Sequence, residues 1–235
     1  MSKTAETAKE GLRILRRIET IFNDNSKMSG SGFVGPEPGI VITAAHVIHE
    51  RGKVARQITV GDRAAQIQSL HEDIDLAILS TNESETSQLG DSRILEIGDQ
   101  VMFAGYPIGV LGPSVFSGML SAHGEALIQY PRCRVLQISG MINLGNSGGP
   151  LLPVGSQEVV GVITAKFVPL LQEIDKLRDI LRQIPQLPNG QVGIAGVDFS
   201  RFFNLTMQAL LTVSGSLRLV QVGTGYAVPI DLWKR

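Results

Sequence analysis

Between about residues 30 and 167 the apolar residues fall in short runs broken by glycine, proline and polar pairs. "GFVG", "GIVITAA", "RQITVG", "AAQIQSL" and "DLAILS" form a first group, and "DQVMFAGYP", "SVFSGMLSAHG", "RVLQISG" and "EVVGVITAKF" a second. Runs of this length, rich in Val, Ile and Thr and bounded by turn residues, predict strands, and many short strands with frequent turns predict barrels or a sandwich. Helical spacing frames this region. Ala8, Leu12, Leu15, Ile18 and Phe22 recur at intervals of three and four, with Arg13, Arg16 and Arg17 off that line, which predicts an amphipathic helix over residues 4–22. Leu170, Ile174, Leu177, Leu181 and Ile184 repeat the spacing until Pro185 stops it. A further helix is predicted after Asp198 or Ser200, with Phe202, Phe203, Leu205, Met207 and Leu210 as apolar members, and "LRLVQVGTGYAVPI" predicts a closing strand.

A chain of 235 residues with 43% hydrophobic content can bury a sizeable core, as one large domain or two small barrels sharing an interface. The formal net charge of -1 leaves no basic stripe able to neutralise phosphates, so nucleic acid is not an expected partner. Cys133 is the single cysteine, which excludes an intramolecular disulfide and a cysteine cluster for zinc, as expected of a protein folded in a reducing compartment. The N-terminus has charges throughout and no apolar core of the signal-peptide kind, and no segment is long enough to cross a bilayer. Together these features predict a cytoplasmic protein with no membrane partner.

The stretch "NLGNSGGP" at residues 143–150 sets Ser147 among glycines and satisfies G-x-S-x-G. An α/β-hydrolase would need its histidine after the serine, yet His46, His49, His71 and His123 all precede it. A serine nucleophile otherwise needs an imidazole to take its proton and a carboxylate to fix that imidazole's tautomer. His46 follows the apolar run "GIVITAA", which would hold its ring at the rim of a barrel, whereas the other three histidines lie in polar or loop-like contexts. "HEDIDLAILS" offers Asp73 and Asp75. Alternation does not separate them, since both point the same way; Asp75 is preferred because it abuts the buried run, where a carboxylate needs a hydrogen-bond partner. An order of Asp, His, Ser would leave only Asp24, in the polar loop "NDNSK".

In the order His46, Asp75, Ser147, the segments "GSGFVGPEPGIVITAAHVI", "DIDLAIL", "GDQVMFAGYPIG", "SVFSGMLSA", "INLGNSGGPLL", "GVITAKF" and "GYAVPID" resemble the trypsin-like protease domain of the high-temperature-requirement (HtrA/Deg) family. The resemblance covers about residues 29–167 and 222–231. It implies an all-β fold of two six-stranded antiparallel Greek-key barrels, the first over about 29–92 and the second over about 93–235. An N-terminal helix and linker would occupy 1–28, and a helical insertion in the second barrel 168–221. His46, Asp75 and Ser147 would be catalytic in the cleft between the barrels, and the backbone N–H groups of Gly145 and Ser147 would form the oxyanion hole.

The resemblance further implies a substrate pocket lined by Met141, Thr164, Ala165, Lys166 and Gly225, suited to small or medium apolar side chains unless Lys166 favours an acidic one. Asn146, where digestive members carry aspartate, has no charge to pair with a freed N-terminal ammonium, so activation by that route is not expected. The implied activity is a serine endopeptidase acting on unfolded or flexible protein segments, with no metal and no cofactor. Its partners would be protein or peptide substrates; the helices of 168–221 could cap the cleft, cover the barrel or, with the N-terminal helix, form a homo-oligomer interface, and their composition does not choose among these. The family often appends a PDZ module, which a chain ending at Arg235 is expected to lack. The other reading is a catalytically inactive protease-fold module that binds peptides or a partner protein.

Overall fold

The computed structural model describes residues 2–124, 134–166, 176, 179–184, 193–194, 197–217 and 223–234. Helix α1 (Lys3–Ile14) begins at Ser2, whose hydroxyl accepts the Ala5 N–H at 3.3 Å and so caps the first turn. Six strands follow: β1 (Leu15–Phe22), β2 (Lys27–Val34), β3 (Ile40–Thr43), β4 (Ala55–Val60), β5 (Arg63–His71) and β6 (Leu76–Ser80). They close into an antiparallel barrel in the order β1-β2-β3-β6-β5-β4, with a short helix α2 (Ala45–Ile48) after β3. A second closed barrel is built from β7 (Gln100–Gly105), β8 (Ser114–Gly124), β9 (Val135–Gly140), β10 (Pro150–Pro153), β11 (Gly161–Lys166) and β12 (Thr224–Pro229), ordered β9-β12-β11-β10-β7-β8. The barrels are the two six-stranded antiparallel units that the resemblance implies.

Each barrel has its own interior. Ile18, Val41, Val47, Ile58 and Leu79 fill the first; Val101, Phe103, Leu120, Ile138 and Ile163 fill the second. A third cluster joins Ile14, Phe33 and Ile42 to Leu152, Val162 and Ile230, so side chains from both barrels share one apolar seam. Each such fully buried side chain contributes about 1.5–3 kcal/mol. The seam fixes the two barrels against each other, and with them the loops that meet above it.

The expected helix over 4–22 is corrected: it ends at Ile14, and the chain continues as β1, so the first barrel begins at Leu15 and not at residue 29. Leu15, Ile18 and Phe22 fit a helical spacing, but inside the barrel Ile18, Thr20 and Phe22 alternate inward. Thr20 hid that alternation. Its hydroxyl is satisfied by donating to the Val47 carbonyl at 3.0 Å, which makes a polar residue tolerable at a fully buried position. The helix buries Thr7, Gly11 and Ile14, not the expected Ala8 and Leu12, and Leu12 is exposed. Gly11 packs beside Ala104 and Leu152, and Thr7 donates to the Ser156 carbonyl at 3.1 Å, so this face is spent on the second barrel.

Val168–Gln221 forms a compact unit distinct from the one made by Met1–Phe167 and Val222–Arg235. Within it, helix α3 (Phe199–Leu217) carries the apolar residues expected after Asp198. Residues 179–183 are helical, and Leu181 with Phe203, Met207 and Leu211 lines a groove. Leu170, Ile174, Leu177 and Pro185 of the preceding expected helix lie outside the described residues, as does Cys133. No helix among the described residues is long and apolar enough to cross a membrane.

Candidate active site

The residues singled out from sequence come from both barrels and converge above the seam. Asp75 ends a single 3-10 turn (Glu72–Ile74) and precedes β6; its φ of 53° and ψ of 44° place it in the left-handed region, which aspartate tolerates better than most residues. That turn drives its carboxylate inward, where it is 1% exposed. A carboxylate so buried needs donors, and three groups supply them. The His46 backbone N–H donates to Oδ1 at 2.9 Å, the His46 ring lies with Nδ1 2.8 Å from Oδ2, and the Thr164 hydroxyl donates to Oδ2. The Asp75 carbonyl accepts the Ala45 N–H at 3.2 Å, so main chain and side chain of one residue hold the start of α2.

With Nδ1 facing a carboxylate, the neutral imidazole keeps its proton there and leaves Nε2 as a lone pair. The His46 side chain is 38% exposed, so that second nitrogen has access to solvent and substrate. Burial disfavours the charged ring, but the Asp75 charge and hydrogen bond outweigh it and raise the His46 pKa above the ordinary imidazole value. Asp73, the other carboxylate considered, belongs to the 3-10 turn and is exposed.

Ser147 lies in the loop between β9 and β10, and its hydroxyl donates to the Thr164 carbonyl at 3.1 Å. Thr164 thus touches both sides of the site: its hydroxyl holds Asp75 and its carbonyl receives Ser147. From sequence it was expected on a pocket wall; its side chain is instead 1% exposed and committed to the carboxylate. No local pattern signals this, because the pairing joins residues 89 positions apart.

The loop's peptides are pinned in turn. The Leu144 carbonyl accepts the Ile108 N–H at 2.8 Å, so the Gly145 N–H on the same trans peptide points the opposite way. The Gly145 carbonyl accepts the Ser31 hydroxyl at 2.7 Å, and the Asn146 carbonyl accepts the Gly149 N–H at 2.9 Å. Neither the Gly145 N–H nor the Ser147 N–H donates to an acceptor among the described residues. Gly145 has φ 93°, and a Cβ there would run into the Tyr106 carbonyl. Gly148, at φ 87°, lies so close to the Ser31 carbonyl that no side chain fits.

Met141 is 56% exposed, and Leu144 and Ile108 are also exposed. Gly225 is buried on β12, paired with Lys166 of β11. The backbones of Ala165 and Lys166 continue β11, while their side chains lie outside the described part of the molecule. Among the described residues no group of three or more His, Cys, Asp or Glu could hold a metal ion.

Two closed barrels with this loop, imidazole and carboxylate at their junction define a peptidase-type architecture, and residues 30–162 match the family described as trypsin-like peptidase domain; the chain belongs to that family. Relatives named probable periplasmic serine endoprotease DegP-like are similar over part of the chain. That of Brucella suis biovar 1 (strain 1330) is 36% identical over 145 residues, covering 60% of this chain and 28% of its own. That of Rickettsia prowazekii (strain Madrid E) is 35% identical over 171 residues, covering 68% and 33%. The chain therefore spans about a third or less of the length of these curated relatives. Among solved structures, the HtrA-type protease AlgW with tripeptide shares the fold, with a TM-score of 0.66 at 23% identity, covering 98% of this chain and 60% of that one.

The relatives overturn the expectation of a cytoplasmic protein, because they are named periplasmic. The lone cysteine that favoured a reducing compartment was never diagnostic: one thiol forms no intramolecular disulfide in either compartment.

Proposed function

We propose that the protein is a serine endopeptidase in which Ser147 is the nucleophile, His46 the general base and acid, and Asp75 the group that orients His46. The observation that carries this reading is the His46 Nδ1 to Asp75 Oδ2 contact of 2.8 Å, formed over a loop whose Gly145 and Ser147 amides have no acceptor among the described residues. Nε2 takes the Ser147 proton as Oγ attacks the peptide carbonyl, and the oxyanion lies against the two amides. Collapse breaks the C–N bond, His46 returns the proton to the leaving amine, and water repeats the cycle on the acyl-enzyme. In the proposed reaction Ser147 exchanges its bond to the Thr164 carbonyl for one to His46.

The exposed apolar side chains of Ile108, Met141 and Leu144 support unfolded or flexible segments with an apolar residue before the scissile bond as substrates. The pocket is completed by Gly225 and the β11 backbone from Thr164 to Lys166. Peptides are the proposed ligands, and the similarly folded HtrA-type protease AlgW has been solved with a tripeptide. The names of the relatives favour a periplasmic site of action.

A fluorophosphonate probe tests the reading: one equivalent is expected to attach to the folded wild type and none to Ser147→Ala. A wild type inert to the probe and to denatured protein substrates would instead mark a binding module that keeps the fold without the chemistry.

A further inference from the structure

Ser31 lies on β2 of the first barrel, fully buried, and every polar atom it owns is committed. Its hydroxyl accepts the Tyr106 N–H at 2.8 Å and donates to the Gly145 carbonyl at 2.7 Å. Its backbone N–H donates to the Ser147 carbonyl at 2.8 Å, and its carbonyl accepts the Thr43 hydroxyl at 2.6 Å. We propose that Ser31 is a positioning residue of the oxyanion hole, a first-barrel side chain that holds the Gly145–Ser147 loop of the second barrel in the geometry needed to receive the developing charge. The proposal rests on the serine endopeptidase reading of this site.

The argument starts from the glycine. Gly145 has φ 93° and no Cβ, so its own sterics do little to fix the two peptides that meet at it. The preceding peptide carries the Gly145 N–H and is held at its carbonyl end by Ile108. Turning that N–H out of the hole rotates its peptide about ψ of Leu144 and φ of Gly145 and breaks the bond from the Ile108 N–H, so the peptide is held by the Tyr106–Ile108 segment on one side and by the following peptide on the other. Ser31 grips that following peptide by its carbonyl. The Tyr106 N–H occupies a lone pair of the Ser31 oxygen and thereby aims the hydroxyl proton at Gly145, and Tyr106 itself begins the segment that supplies the Ile108 N–H. One hydroxyl thus ties both peptides flanking Gly145 to a strand of the other barrel. Because the group is out of contact with solvent, water does not replace the lost bond when the hydroxyl is removed.

Ser31→Ala removes one oxygen and leaves the volume nearly unchanged. Removing an oxyanion donor outright costs roughly 100- to 1,000-fold in kcat, and loosening one is expected to cost less, about 10- to 100-fold, with KM within about twofold. Three measurements on the full chain separate positioning from general destabilisation: kcat and KM on an apolar peptide amide well below the melting temperature, the affinity of a peptide boronate that places its oxygen in the hole, and the affinity of the matching peptide carboxylate product. The expected result is a loss of kcat mirrored by an equal loss of boronate affinity, unchanged product affinity, and recovery of most of both in Ser31→Thr. A folded Ser31→Ala with wild-type kcat, or one whose loss falls on KM and product affinity alone, overturns the proposal while leaving the protease reading intact. A wild type that neither cleaves nor labels overturns both. Should Ser31→Ala not fold, Ser31→Cys keeps the volume with a weaker donor and is expected to lose about 10-fold in kcat; full activity there also overturns the proposal.

Discussion

His46 is placed under two opposed demands that can be read out by pH. As the base it must be neutral, yet the Asp75 charge and hydrogen bond favour its protonated form and raise its pKa above 6.5. Activity is therefore expected to fall about tenfold per pH unit below that raised value, with kcat/KM reporting the free-enzyme pKa. Stability moves the other way. A raised histidine pKa contributes stability that is full below the unfolded value near 6.5 and is lost as pH climbs through the folded value. Melting temperature and kcat/KM measured over pH 5–9 should show opposite slopes in the window between the two values. In Asp75→Asn the rise in pKa should vanish, so a stability slope unchanged in that variant would remove Asp75 as its cause. The residues of this pair were legible in the sequence because each abuts an apolar strand. Thr164 and Ser31 were not: their roles are tertiary hydrogen bonds from ordinary strand positions, and nothing in their neighbours separates them from any other buried hydroxyl.

At the scale of elements, β1 shows how a strand can be disguised. Its inward row includes Thr20, and the surviving apolar residues Leu15, Ile18 and Phe22 mimic a helical stripe continuous with α1. The strand also anchors the first barrel from outside. Arg16 Nε lies 2.6 Å from Glu83 Oε2, with the Glu83 side chain only 10% exposed in the loop after β6. The hydrogen bond from Arg16 is the largest cause of the low Glu83 pKa, about 2; burial opposes it, and the Ser84 and Glu85 backbone N–H groups assist. Glu83→Gln leaves Arg16 with only the more exposed Glu85 as a charged partner and should cost about 1–3 kcal/mol at neutral pH. A depressed carboxyl pKa contributes stability that is full above the unfolded value of 4.5 and is lost as pH falls toward 2. Urea midpoints of wild type and Glu83→Gln should therefore differ clearly at pH 7 and draw together as pH falls toward 2. A constant gap across that range would assign the cost to packing and not to charge.

At the scale of the whole molecule, strands β11 and β12 are direct antiparallel neighbours, with Val162 opposite Val228 and Lys166 opposite Gly225, although the segment Val168–Gln221 separates them in sequence. The barrel-forming runs were legible because period-two patterning and turn residues mark them one by one, whereas the pairing of β11 with β12 across so long an interval leaves no trace in local pattern. Topologically the segment is an outsized hairpin loop, and its residues cluster with one another as a compact unit. If the barrels owe it nothing, replacing residues 168–221 by a four-residue turn containing Asn-Gly should leave the β11–β12 ladder intact. Shortening the loop to that length reduces its closure entropy by roughly 2 kcal/mol, so the melting temperature of the deletion variant is expected to equal or exceed that of the full chain. Its Ser147 should react with a fluorophosphonate at a rate within about threefold of wild type, since that chemistry needs only the nucleophile, His46, Asp75 and the oxyanion loop. A variant that does not fold would make the insertion part of the barrel's stability. A folded variant that no longer labels would assign it a share in holding the active loop, and would shift attention from the Ser31 side of that loop to the β11–β12 side.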